Sequence, residues 1–145
     1  EIILAGRRIN DNMGSFITSQ VIKLMLGMNI NVSNARVLVL GLTFKENCPD
    51  LRNTRVVDVV NELKTYNTIV DTYDPWVDLV VAKEELKIDL ILELNENTYD
   101  AIIITVAHKI FEDMGANKIK ALGKKNCIIY DVKGLLPLND VTKRL

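Results

Sequence analysis

The residues best suited to binding chemistry lie in a loop between an apolar strand pattern and a helical pattern. Residues 41–54 read GLTFKENCPDLRNT. Lys45 follows the strand, at the edge where open α/β sheets place ligands, and its ammonium is able to neutralise a pyrophosphate. Arg52 precedes the helix N-terminus, where backbone N–H groups favour an anion, and its alternative is a surface ion pair with Asp50 or Asp58. The pattern predicts a phosphate site made by side chains, with a charged surface loop as the alternative.

The glycine pattern of dinucleotide-binding loops is missing here. Gly41 is the one glycine in the segment, whereas G-x-G-x-x-G is the pattern that lets backbone approach a pyrophosphate. Strand, loop and helix nevertheless follow the layout of the first turn of a nucleotide-binding α/β domain. We therefore expect a nucleotide to be held mainly by side chains.

Two other reactive residue types lack the partners that catalysis needs. Cys48 lies beside cations, which lower a thiol pKa, but no base accompanies it. His108 is the one histidine in the sequence and follows an apolar run. Without a second histidine or a serine motif, a structural or supporting role is favoured over ligand contact. We predict no catalytic residue and no metal site in this chain.

Composition excludes several classes of function. The 145 residues suit one domain, and the hydrophobic (48%) and charged (26%) fractions are typical of soluble globular proteins. A net charge of -1 argues against binding nucleic acid, and no apolar run approaches the roughly 18 residues of a membrane span. Two cysteines without metal-ligand spacing predict a cytoplasmic protein with reduced thiols. The chain lacks an initiating methionine and opens in a helical pattern, so we expect a piece of a longer protein.

Strand and helix patterns alternate after a long first helix. We expect helices over residues 9–30, 56–63, 79–86 and 117–122, and strands over residues 36–40, 68–73, 101–106 and 127–131, with 88–92 undecided. This alternation predicts an α/β fold, a Rossmann-like three-layer sandwich with a mostly parallel sheet. A long N-terminal interface helix precedes it.

The first helix has a continuous apolar stripe. Its members fall at helical spacing: Met13, Ile17, Val21, Leu24 and Met28. One interpretation is a core helix, and the other, which we favour, is a helix shared with a partner domain and a second subunit. We accordingly divide the chain into residues 1–30, the central or dimerisation helix, and residues 31–145.

Two strings resemble one protein family. Residues 41–54 are similar to the signature that opens the C-terminal domain of UDP-sugar 6-dehydrogenases, in the UDP-glucose/GDP-mannose dehydrogenase family. Residues 5–13, AGRRINDNM, resemble the start of the central helix in the branch that acts on UDP-N-acetylhexosamines for capsule and surface polysaccharides. Such enzymes use NAD twice to oxidise the sugar C6 hydroxyl to a carboxylate. The resemblance implies a UDP-binding C-terminal portion of such an enzyme.

The resemblance also implies roles for individual residues. Phe44 and Lys45 match a pair that contacts the UDP-sugar, and Arg52 matches an arginine that reaches toward NAD. Lys133 matches a basic residue, often arginine, that contacts UDP. The family's nucleophilic cysteine belongs to a glycine-rich motif that these 145 residues do not contain. We therefore expect no dehydrogenase activity from this chain alone.

The partners implied by the resemblance are a UDP-sugar substrate, an N-terminal NAD-binding domain and a second copy of the chain, docked through the first helix. The alternative is a stand-alone Rossmann-like nucleotide-binding or regulatory module. A further alternative is a flavodoxin-like or receiver protein, although the acidic cluster of a receiver is not visible at the strand ends.

Overall fold

A computed structural model of the chain describes residues 12–145. Its strands are β1 Arg36–Leu40, β2 Ile69–Tyr73, β3 Tyr99–Ile104, β4 Gly123–Asp131 and β5 Lys143–Arg144. Its helices are α1 Met13–Gly27, α2 Val56–Lys64, α3 Leu79–Leu86 and α4 Lys109–Leu122. The strands form one parallel sheet in the order β2-β1-β3-β4-β5. The predicted α/β fold with a parallel sheet is confirmed.

Both faces of the sheet are buried because side chains of the central strands alternate between two helix layers. In β1, Val37 and Val39 pack in the same core as α1 and α2. Leu38 and Leu40 pack in the other core, with α4. Residues 101–104 of β3 alternate in the same way. The continuous apolar runs seen in the sequence are thus central strands covered on both sides.

The strand order reverses between β1 and β3. β1 pairs with β2 on one side and with β3 on the other. In open α/β sheets, ligands bind in the crevice outside the carboxyl ends of the strands at such a point. The 41–54 loop follows β1 and His108 follows β3, so both lie at this crevice.

The element bounds differ from the sequence predictions in a few places. β1 and α3 have the predicted bounds, whereas α1 ends at Gly27, and residues 9–11 of the predicted helix lie outside the described residues. Segment 88–92 contributes one bridge, between Leu90 and Thr72. The strand predicted over residues 101–106 is shifted to β3, and the one over 127–131 begins earlier, as β4.

The last helix is longer than predicted. α4 begins at Lys109 rather than at residue 117, and Gly115 interrupts it with non-helical φ 78° and ψ 166°. A glycine adopts this backbone without steric cost, and the interruption divides the helical periodicity into two short parts. β5, which was not predicted, has two residues and so no pattern to detect.

Three residues of the apolar stripe of α1 are buried in this chain's own core, as the core-helix interpretation predicts, whereas association with a partner domain or a second subunit stays a prediction. Met13, Ile17 and Val21 are fully buried in the core shared with α2 and the sheet. Gly14 permits close packing, since a Cβ there would lie 2.7 Å from the Cβ of Asp58 in α2. This helix therefore forms part of one layer of the sandwich. None of the helices in the described residues, α1 included, is long and apolar enough to cross a membrane.

The exposed apolar surface of α1 lies at its C-terminal end. Leu24 is half-buried, but Leu26 is 58% exposed and Met28, directly after the helix, is 45% exposed. A second subunit that docks on this helix would find Leu26 and Met28, of which Met28 belongs to the predicted stripe.

The burial of α1 predicts that truncating Ile17 destabilises the domain. Ile17→Ala removes a fully buried side chain and is expected to cost about 2–5 kcal/mol of unfolding free energy. Lys23→Ala, on the same helix but exposed, is the matched control and should change stability by less than about 0.5 kcal/mol. Urea unfolding of both variants measures this. If Ile17→Ala and the control variant both change the free energy of unfolding equally little, α1 is not part of the core.

Candidate functional site

The 41–54 loop begins with a sharp change of direction at Gly41. This residue has φ 106°, and a Cβ there would lie 2.6 Å from the Cβ of Val106, in the segment after β3. Only glycine adopts this backbone conformation readily and leaves room for the valine. Gly41 therefore serves the crossing of two loops rather than the approach to a phosphate.

The buried carboxylate of Asp74 ties together the loops that follow β1, β2 and β3. Its Oδ2 accepts the backbone N–H groups of Leu42 (2.7 Å) and Thr43 (3.1 Å) and lies 2.9 Å from Nε2 of His108. Its Oδ1 accepts the N–H of Trp76 at 2.9 Å. One side chain thus satisfies donors from three different segments of the chain.

His108 extends this network to the outer part of the loop. Its Nδ1 accepts the backbone N–H of Asn47 at 2.9 Å, so the neutral ring carries its proton on Nε2. Nε2 then donates to Asp74 and lies 3.2 Å from Oγ1 of Thr43. The ring is fully buried and packs 5.4 Å, centre to centre, from that of Phe111. This burial agrees with the structural role that the sequence favoured.

The Asp74 carboxyl titrates below its ordinary range. Burial by itself raises the pKa of Asp74, but the hydrogen bonds from His108 and from the Leu42 N–H outweigh burial and hold the pKa below the usual 3.8. The group is therefore a carboxylate at neutral pH, which is the form that accepts every donor around it.

A narrow cleft at the carboxyl edge of the sheet brings together two predicted substrate-binding residues from distant parts of the sequence. Phe44 and Lys133 both line this cleft, whose volume is about 20 Å³. The other lining residues are Thr43, Thr54, Arg55, Val56 and Thr105. Two cationic residues and three hydroxyl-bearing residues line the space, which has room for about one water molecule. Such a set favours an anion at the mouth of the cleft.

The hydroxyl groups and the arginine of this cleft already have partners. Oγ1 of Thr54 donates to the carbonyl of Leu42 at 2.7 Å and accepts the N–H of Val56, the first residue of α2, at 3.2 Å. Arg55 pairs with Asp58 at 2.7 Å. The walls of the cleft are therefore fixed from within the domain.

The other two predicted site residues lie on the same loop but outside this cleft. Lys45 is exposed. Arg52 is 86% exposed and forms two hydrogen bonds to Asp50, from Nε at 3.0 Å and from Nη2 at 3.2 Å. The hydrogen bond from Arg52 lowers the pKa of Asp50, and the charge of Lys45 adds to this effect. The alternative ion pair with Asp50 is the one present.

Sequence reasoning missed several residues of the site. Arg55 and Thr105 line the cleft, and Asp74 holds its loops, but none of the three was singled out for a role in binding. Thr105 and Asp74 each directly follow a strand, β3 and β2. Polar side chains directly after parallel strands are the signal that points to this edge.

Wider clefts lie elsewhere on the domain. One of about 390 Å³ is at the amino edge of the sheet, beside Asp100 and Lys124, and another of about 360 Å³ is at the carboxyl edge, beside Trp76 and Lys109. None of the predicted site residues lines either of them. We place the candidate site at the narrower cleft because it lies at the carboxyl edge and is lined by two predicted site residues.

One protein family and several known proteins match most or all of this chain. A family model described as "UDP-glucose/GDP-mannose dehydrogenase family, UDP binding domain" matches residues 38–137. The chain is 50% identical over 145 residues to UDP-N-acetyl-D-glucosamine 6-dehydrogenase of Salmonella typhi, and 54% identical over 136 residues to the Pseudomonas aeruginosa protein of the same name. These alignments cover 100% and 94% of this chain but 34% and 32% of the relatives. The chain therefore spans about a third of their length.

A solved structure supports the same relationship. UDP-D-ManNAc dehydrogenase from Pyrococcus horikoshii superposes with a TM-score of 0.74 at 26% identity, over 99% of this chain and 34% of that one. The matches agree with the resemblance drawn from residues 41–54. They contradict the flavodoxin-like and receiver interpretations.

The low pKa of Asp74 predicts a specific dependence of stability on pH. A carboxyl whose pKa is lower in the folded state stabilises the fold above its unfolded pKa of about 3.8, and this contribution disappears as the pH falls towards the folded value. Asp74→Asn should lower the free energy of unfolding by about 1.5–3 kcal/mol at pH 7. Below about pH 4, the free energy of unfolding of this variant should fall less steeply with decreasing pH than that of the wild type. Urea unfolding between pH 3 and 7 measures both effects.

Asp89→Asn is the matched control, because Asp89 is 80% exposed. This variant should keep the wild-type pH dependence. An Asp74→Asn variant with the wild-type acid profile would contradict the assignment of Asp74 as an ionised buried acceptor.

Proposed function

The chain belongs to the UDP-glucose/GDP-mannose dehydrogenase family, whose UDP binding domain it matches, and on that premise we propose that it is the UDP-sugar-binding portion of an NAD-dependent UDP-N-acetylhexosamine 6-dehydrogenase. The names of its relatives, UDP-N-acetyl-D-glucosamine 6-dehydrogenases, support that substrate class. Because the chain spans about a third of their length, oxidation of the sugar is a property we assign to the longer protein.

The observation that carries this proposal is the meeting of Phe44 and Lys133 in one cleft. The resemblance implied a UDP contact for each residue separately. Phe44 lies in the segment after β1, and Lys133 lies in the segment after β4. Lys133 and Arg55 supply positive charge for a diphosphate, and the half-buried ring of Phe44 supplies an apolar surface for a sugar or base. The contribution of this domain is then binding energy that holds the reacting C6 in place for chemistry elsewhere in the protein.

Lys45 and Arg52 have distinct roles in this proposal. The exposed Lys45 is available to the sugar or phosphate of a substrate that extends out of the cleft. The equally exposed Arg52, oriented by Asp50, is available to NAD, which would supply the hydride acceptor and be held mainly by the domain outside this chain. We assign Phe44, Lys45 and Lys133 to substrate and Arg52 to cofactor.

The proposal includes an assembly and a location. Residues 1–30 would form the central helix and residues 31–145 the UDP-binding domain, with a homodimer formed through the exposed end of α1 at Leu26 and Met28. Both cysteines, Cys48 and Cys127, are free thiols, which fits a reducing cytoplasm. The role in making surface polysaccharide that the family resemblance implied is part of this proposal.

The proposal predicts that the 145-residue chain binds UDP in a saturable manner. Lys133→Ala and Phe44→Ala should each weaken binding, the lysine variant by about tenfold because a charge-assisted contact is lost. Lys64→Ala removes an exposed charge at the far end of α2 and is the control for net charge. Calorimetric titration with UDP measures the affinities. Equal losses in the Lys133 and Lys64 variants would mean that the cleft does not bind the diphosphate.

In the longer protein, Lys45→Ala and Arg52→Ala are expected to fail in different ways. Loss of Lys45 should chiefly raise the KM for the UDP-sugar, by about tenfold to a hundredfold, because Lys45 is assigned to substrate. Loss of Arg52 should chiefly raise the KM for NAD. Steady-state kinetics with each substrate varied separately distinguishes the two. If both variants share one profile, or both match the wild type, the loop has a structural role only.

A further inference from the structure

The backbone on both sides of Lys45 is held by one buried pair of side chains. Before Lys45, Oδ2 of Asp74 accepts the N–H of Thr43 at 3.1 Å. After Lys45, Nδ1 of His108 accepts the N–H of Asn47 at 2.9 Å. Asp74 and His108 lie 2.9 Å apart and both side chains are fully buried. Residues 44–46 therefore span the gap between two anchors on the same rigid unit.

Side chains of the loop reinforce these anchors. Oγ1 of Thr43 donates to the carbonyl of Lys45 at 2.9 Å. Oδ1 of Asn47 accepts the N–H of Lys109 at 2.8 Å, so Asn47 is bound to two consecutive residues after β3. Asn47 has φ 58°, a left-handed conformation that asparagine tolerates better than most residues. Its backbone is thus held in one particular turn.

The two ring nitrogens of His108 form hydrogen bonds with different parts of the chain. Nε2 bonds to Asp74, which also holds the Leu42 and Thr43 N–H groups and would keep the base of the loop in place without the ring. Nδ1 is the acceptor of the Asn47 N–H. Nδ1 is thus the side-chain acceptor that holds the backbone of the exposed part of the loop, beside the bond from the Lys109 N–H to Asn47, and Asp74 holds the buried base.

We propose that His108 is a positioning residue for nucleotide binding: through Nδ1 it fixes the turn at Asn47 and so the placement of Phe44 and Lys45. The inference rests on the proposed function for its effect on UDP, but the effect on the loop stands on geometry alone. His108 touches no ligand in this role. It acts through the backbone, and small displacements of a binding group weaken its contacts steeply.

Two substitutions separate the ring nitrogens. In His108→Asn, the side-chain oxygen stands near the place of Nδ1, so the acceptor for Asn47 is kept and the donor to Asp74 is lost. In His108→Gln, the side-chain nitrogen stands near the place of Nε2, so the donor is kept and the acceptor is lost. Three quantities are measured on the 145-residue chain: hydrogen exchange at the Asn47 amide, UDP affinity and the urea unfolding midpoint.

The expected result is a split between the two variants. His108→Gln should lose exchange protection at Asn47 and bind UDP about tenfold more weakly, whereas His108→Asn should keep the protection and bind within about threefold of wild type. Ile119→Val, buried in α4 and remote from the loop, is the stability control. Ile119→Val should lower the unfolding midpoint and leave UDP affinity unchanged. Weaker UDP binding by His108→Gln is then not explained by lower stability alone.

Other results would overturn the proposal. UDP affinities that are equal in the Gln and Asn variants, or that follow the unfolding midpoint in all three variants, would leave His108 as a core residue only. If the wild type does not bind UDP, the proposed function fails, and the exchange at Asn47 still decides whether His108 holds the loop. If neither histidine variant folds, NMR of the wild-type ring decides, because a proton on Nδ1 would exclude the acceptor role.

Discussion

The buried carboxylate of Asp74 is the interaction on which the arrangement of the site depends. An ionised group taken out of water destabilises the fold unless donors replace the water, and Asp74 has donors from the segments after β1, β2 and β3. Because an unsatisfied buried carboxylate is costly, Asp74 holds the donors of these three loops close to one another. The strand order provides the reason that they meet, since β1 lies between β2 and β3.

This arrangement separates a rigid interior from a charged surface. The interior network consists of Asp74, His108 and the threonines of the loops, each paired with a neighbour. Lys45 and Arg52 lie outside it, exposed to solvent. Exposed lysine and arginine side chains lose much conformational freedom when they bind, so a fixed backbone beneath them limits the further entropy lost on binding. In the proposed function, the loop is therefore a surface binding element on a pre-organised base.

Local features of the sequence predicted local features of the structure. The bounds of β1 and α3 follow from short apolar runs with clear punctuation, and the 41–54 loop was identified by its own residues. The burial of α1 in this domain was one of two interpretations, and not the favoured one, because periodicity identifies an apolar face but not the surface that covers it. Ile17 and Val21 look alike whether they face α2 or a second subunit. The packing of α1 against α2 and the sheet determines which surface covers these two residues.

The contacts of the site were predictable only in part, for a related reason. The bonds from Asp74 to Leu42 and from His108 to Asn47 join residues 32 and 61 positions apart, distances over which no sequence period operates. Phe44 and Lys133 were identified through a family resemblance, whereas their shared cleft required the strand order.

The contrast between Lys133 and His108 shows how a family relationship and a geometry inform each other. The family indicates what the domain binds, since residues 38–137 match a UDP binding domain, and Lys133 lies within them and lines the cleft beside Phe44. The geometry indicates how binding is supported, because a buried ring without ligand contact sets the backbone that carries Phe44 and Lys45. A binding domain separated from the reacting centre is useful only if it holds the substrate in one orientation. The buried pair, Asp74 and His108, therefore has to hold the loop in one position. The hydrogen-bond network at the ends of β1, β2 and β3 does this within this chain.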